Sequence, residues 1–172
     1  VVQRTMDGST IPWAVCAGAA AHLYGNRRPI QDVVIMVAGG RLADVGRLLQ
    51  QQNKVVQYDG QRILWRGIKV FDDLSVRRNG VVFPLALDDL MRARLRRLSL
   101  LGAPVAVLPP EDVLIHKLLL GRGPEQGKHD YADAAGIVRR QQLDLDYLRE
   151  RIEAMGAAPH IGAALAELGI TL

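Results

Sequence analysis

The chain has 172 residues, enough for one compact domain or one domain with a small helical appendage. Hydrophobic residues make up 49% and charged residues 23%, the balance of a folded domain, and without an apolar run of about 18 residues no membrane span is expected. A formal net charge of +4 permits a polyanionic partner without requiring one, whereas only 5% aromatics argues against a single-strand nucleic-acid binder built on stacking.

In chain order, residues 13–23 read as a helix rich in small residues and stopped by Gly25. Residues 32–37 are β-branched and apolar and end at Gly39-Gly40, the pattern of a strand covered by helices on both faces. Residues 41–52 form an amphipathic helix with Leu42, Val45, Leu48 and Leu49 on one side. Two short strands, 62–66 and 68–74, flank Gly67 as a hairpin. A strand over 81–85 leads to Asp88-Asp89, acids at the start of a helix that carries Arg92, Arg94, Arg96 and Arg97 and ends at Gly102.

Residues 103–108 return as a strand. Pro109-Pro110-Glu111-Asp112 is a strong helix start, because proline presets φ and the acids oppose the dipole; the helix runs to 120 and is capped by Gly121. A polar loop, 121–128, precedes helices over 129–140, 144–155 and 160–168. The lone Cys16 excludes an internal disulfide, and with no secretory pattern at the N-terminus a cytoplasmic location is expected.

The chemistry concentrates between Ala17 and Ile35. Ala17-Gly18-Ala19-Ala20-Ala21 keeps large side chains away from a helix start, where backbone can approach a phosphate. Asp32 then opens a buried strand. A second carboxylate two residues later would share its face and help hold Mg²⁺, but that position is Val34. Two further blocks carry polar groups in order: Leu108-Pro109-Pro110-Glu111-Asp112 continuing to His116-Lys117-Leu118, and Lys128-His129-Asp130-Tyr131-Ala132-Asp133.

These blocks resemble the nucleotidyltransferase superfamily, especially its minimal and AbiEii-like toxin branch, over roughly residues 15–147. The family shows a Gly-Gly or Gly-Ser pair, a small-residue helix ending in Gly, an Arg, a hydroxyl residue and an Asp-x-Asp strand. Gly18 matches the pair's second position, Gly25 the helix end, Arg28 the basic position and Asp32 the first metal acid. Ala17, Ala19, Ile30 and Val34 depart from the pattern.

The resemblance implies a polymerase beta-like α/β (α+β) fold. A mixed sheet flanked by helices would occupy 1–108, with a helical part over 109–172 packed on it. It further implies transfer of a nucleoside monophosphate from Mg-NTP to a hydroxyl of tRNA or a protein, weakened or lost through Val34, and for the toxin branch an antitoxin partner. The alternative is a catalytically inactive module that binds a nucleotide, RNA or a protein.

One or two Mg²⁺ ions would rest on Asp32 and a third acid, for which Asp72 is preferred over Asp73; adjacent strand residues face opposite sides, so only one can serve. Lys117 would join Asp32 and Asp72 in catalysis. Gly18, Ala19, Arg28, Lys117, Lys128 and Asp130 would bind the nucleotide. Simpler readings stand beside these: Asp32 as a polar strand start, His116 and Lys117 as a solvent stripe, Asp130 and Asp133 as dipole residues, and the arginines of the 90s as a solvated face.

Overall fold

The computed structural model describes residues 2–52 and 55–171. Its elements are α1 (Val2–Asp7), β1 (Trp13–Cys16), α2 (Ala17–Leu23), β2 (Val33–Val37), α3 (Leu42–Gln52), β3 (Gln57–Tyr58), β4 (Ile63–Trp65) and β5 (Ile68–Phe71). There follow β6 (Val76–Arg78), β7 (Val81–Phe83), α4 (Asp89–Ala93), β8 (Arg96–Leu100), β9 (Ala103–Val107), α5 (Pro110–Leu120), α6 (Asp130–Arg140), α7 (Leu145–Met155) and α8 (Ala158–Glu167). Seven strands make one mixed sheet in the order β3-β4-β5-β2-β1-β9-β8, and β6 and β7 pair separately. The sheet is parallel where β2 meets β5 and where β1 meets β9, and antiparallel elsewhere. The fold is therefore the mixed α/β class expected from the sequence.

Two expected helices are corrected. Residues 13–23 divide: Trp13–Cys16 is a fully buried strand between β2 and β9, and the helix starts only at Ala17. The window has no helical periodicity to oppose this, and pairing on both edges outweighs propensity. The bend needs Ala17 at φ +53°, a left-handed conformation uncommon for a residue with a Cβ. The arginine-rich helix stops at Ala93, and Arg96 and Arg97 lie on β8, antiparallel to β9. Leu101 and Gly102, at φ +50° and +78°, form the two-residue connection of that hairpin, so Gly102 is a turn residue and not a helix cap. Asn79-Gly80 does the same between β6 and β7. That dipeptide is among the strongest hairpin signals in any sequence, yet no strand was expected at β6.

Helix α5 is the centre of the helical side and packs on α2, α6, α7 and α8. Every residue from Pro110 to Leu119 is buried, so its polar groups need partners inside the protein. Glu111 accepts the Asp144 N–H at 2.7 Å. Asp112 accepts the Tyr147 hydroxyl at 2.6 Å and Arg151 Nε at 2.8 Å, and Arg151 reaches on to Asp88, the N-cap of α4. Burial pushes the Asp112 carboxyl up to about 6, against the pull of the Arg151 charge. At the other end, Arg78 of β6 donates to the carbonyls of Leu118 and Leu119 and so caps α5. Among the described residues no helix is long and apolar enough to cross a membrane.

Candidate functional site

A cavity of about 620 Å³ opens where the start of α2, the 26–32 segment, the face of β5, helix α5 and the start of α6 converge. Each wall follows from a local rule. The turn into α2 brings Ala17 and Gly18 to the rim; a Cβ built on Gly18 meets nothing within 4 Å, so this part of the wall is bare backbone facing open space. On β5 side chains alternate, so Lys69 and Phe71 share the face that lines the cavity, and Asp73, just past the end of the strand, lines it too. Asp72, preferred on sequence as the third acid, turns the other way and accepts the Gly40 N–H at 3.1 Å. Asp73 is the acid that faces the cavity, although its Oδ1 already accepts the Ser75 N–H and hydroxyl at 2.8 and 2.5 Å.

Six of the expected positions, Gly18, Arg28, Asp32, Lys117, Lys128 and Asp130, line the same cavity. Ala19 is fully buried in α2 and does not line it, and neither does Asp72. His116 and Lys117 are 6% and 5% exposed, which overturns the solvent-stripe reading. The Lys117 ammonium lies 2.8 Å from both Asp130 and Asp133. Arg122 holds the other side of Asp130 at 2.8 Å, and Arg28 and Asn26 both donate to Asp133. The acids at the start of α6 are thus the clasp that joins α5, α6 and the 26–28 segment. Burial alone would raise the Asp130 carboxyl, but hydrogen bonds and charge from Arg122 and Lys117 outweigh it and hold it below its ordinary range. Burial, with Lys117 adjacent, depresses His116 to about 4, so it is neutral near pH 7.

The Asp32 end is built differently. In the parallel register of β2 and β5, Val34 stands directly beside Lys69. The Lys69 ammonium crosses back to Asp32 Oδ2 at 2.5 Å. Sequence inspection missed Lys69, although its alternation with Phe71 and Asp73 placed it on the relevant face. A Mg²⁺ site needs oxygen ligands converging on the ion. Here one carboxylate is shared with an ammonium, and the neighbouring second-acid position is an isopropyl group. Among the described residues no three His, Cys, Asp or Glu side chains are grouped to hold a metal ion. The residues present do not fit the metal pair of the resembled family.

The cavity suits an anion instead. Five cations (Arg28, Lys69, Lys117, Arg122 and Lys128) line it against four carboxylates (Asp32, Asp73, Asp130 and Asp133). Lys128 is exposed and has no ion pair among the described residues.

No protein-family model matches the chain, and no curated protein matches it by sequence. Several solved structures share its fold, among them the following three. An antigenic nucleotidyltransferase-like protein from Paracoccidioides brasiliensis is 18% identical, with a TM-score of 0.51 over 96% of this chain and 88% of its own. The antibiotic-resistance factor ANT(2'')-Ia, a solution structure, is 11% identical, with a TM-score of 0.58 over 96% of this chain and 91% of its own. A Thermotoga maritima protein assigned as a nucleotidyltransferase is 17% identical, with a TM-score of 0.51 over 73% of this chain and 84% of its own. The sheet order, the helical half and these likenesses agree that the chain has the nucleotidyltransferase fold.

Proposed function

We propose that this domain binds a nucleotide in the cavity and does not carry out metal-dependent nucleotidyl transfer. The observation that carries this reading is the contact between Lys69 and Asp32 beside Val34. In the resembled reaction two divalent ions orient the triphosphate and offset the charge that develops during transfer. Here an ion drawn to Asp32 would meet the ammonium of Lys69. For a divalent ion about 4 Å from a unit positive charge the repulsion is about 2 kcal/mol in bulk water and about 8 kcal/mol at an effective dielectric near 20. Val34 supplies no ligand in compensation.

Support for a phosphate-bearing ligand comes from the cation excess of the lining, from Lys128, which has no ion pair among the described residues, and from the bare backbone at Gly18. Transfer to a hydroxyl of tRNA or a protein, with Mg²⁺ and an antitoxin, is the competing reading and depends on the acid that Val34 removes.

Calorimetric titration of the four NTPs, paired with a labelled-NTP transfer assay on total tRNA and on the protein itself, tests the proposal. Micromolar binding without product is expected. A Gly18→Leu variant, whose side chain would enter the open space of the cavity, should abolish the binding. Labelled product formed in a Mg²⁺-dependent manner would establish transfer and refute the loss of catalysis.

A further inference from the structure

Building on nucleotide binding at this cavity, we infer that Lys69 takes the place of the metal. The site then accepts a nucleotide whose phosphate is free of Mg²⁺, and Asp32 acts as an internal competitor of that phosphate. Lys69 sits in register with Val34 on the strand beside β2, and its face of β5 lines the cavity. In that position a cation can do what a bound ion would do, meeting a phosphate oxygen at the end of the sheet. It does so with one charge and no coordination geometry.

Its present partner is Asp32 at 2.5 Å, and the two side chains are 42% and 36% exposed. An ion pair this open to water is weakly held, so an incoming phosphate can contest the ammonium. Lys117, the family's expected phosphate contact, is in contrast 5% exposed and committed to two carboxylates. A phosphate carrying Mg²⁺ would bring a divalent charge against Lys69, whereas the same phosphate without metal brings only the attraction.

Asp32 gives this assignment its sign. At a metal site the first acid is a ligand, and neutralising it removes binding. Here Asp32 repels the phosphate and occupies the ammonium, so neutralising it frees Lys69.

The test titrates ATP calorimetrically into the intact protein and into Lys69→Met, Lys69→Arg and Asp32→Asn, each in EDTA and in excess Mg²⁺. Circular dichroism first confirms that each variant is folded. Expected are at least tenfold tighter binding in EDTA than in Mg²⁺ for the unmodified protein, and loss of that difference in Lys69→Met. Lys69→Arg should retain the difference, and Asp32→Asn should bind several-fold tighter in EDTA. Tighter binding in Mg²⁺, an indifferent Lys69→Met, or abolished binding in Asp32→Asn would overturn the role of Lys69 while leaving nucleotide binding intact. No binding by any of the four proteins in either buffer would overturn nucleotide binding itself.

Discussion

Replacing Lys117 with methionine keeps an unbranched apolar stem, one atom shorter, and removes the ammonium with its charge and its hydrogen-bond donors. The ammonium is 2.8 Å from both Asp130 and Asp133, all three side chains are almost wholly buried, and together they join α5 to the first turn of α6. Each acid would keep one cation, Arg122 for Asp130 and Arg28 for Asp133, but lose the one that is fully buried with it. Breaking a buried pair from one side costs about 3–5 kcal/mol when the remaining charge is left without a partner, and the arginines that stay put the expected loss at the low end, about 3 kcal/mol. For a domain of this size that is a fall in Tm of roughly 10 °C.

Urea denaturation followed by circular dichroism reads the change at pH 7. A Lys117→Met/Asp133→Asn double variant should recover part of the loss, since it removes one stranded charge. A loss under about 1 kcal/mol, with nucleotide affinity abolished in the folded variant, would show that Lys117 serves the ligand and not the clasp, and the account of α5 would fail.

His116 should make stability depend on pH. Its folded value near 4 lies below the ordinary 6.5, so its contribution is complete above pH 6.5 and is lost as pH falls toward 4. Between pH 7 and 5 the unmodified protein should lose about 2 kcal/mol more than His116→Gln. The raised Asp112 acts in the opposite sense over an overlapping range, but it is common to both proteins and cancels in the comparison. Equal losses in the two proteins would show that His116 titrates normally.

Ala17→Gly should stabilise the domain by about 0.5–1 kcal/mol, the relief of a left-handed Cβ less the added freedom of the unfolded chain; a lower denaturation midpoint would contradict the strain at φ +53°. Arg78→Ala should cost about 1–3 kcal/mol through the two carbonyls it leaves at the end of α5. Unchanged stability on thermal melting would remove Arg78 as a cap.

Much of the scaffold could be read without coordinates because its signals are local. The start of α5 at Pro110 and its end at Gly121, the β4–β5 hairpin around Gly67, and the apolar run of β2 are each marked by a few neighbouring residues, although their stability comes from packing. The order of the blocks around Asp32, Lys117 and Asp130 likewise anticipated the fold and brought six of the expected residues to one cavity.

Where the chain has no strong local preference, tertiary pairing decided. Trp13–Cys16 became a strand because β2 and β9 flank it, and Arg96–Leu100 because β9 lies beside it. The character of the site was settled the same way. Val34 is visible in the sequence as a missing acid. That Lys69 stands beside it depends on the register of two parallel strands separated by a helix and a hairpin. The burial of Lys117 depends on the packing of α5, and the different partners of Asp72 and Asp73 on the bend that follows β5. Charges are local in sequence, but which charge meets which is a property of the packed chain.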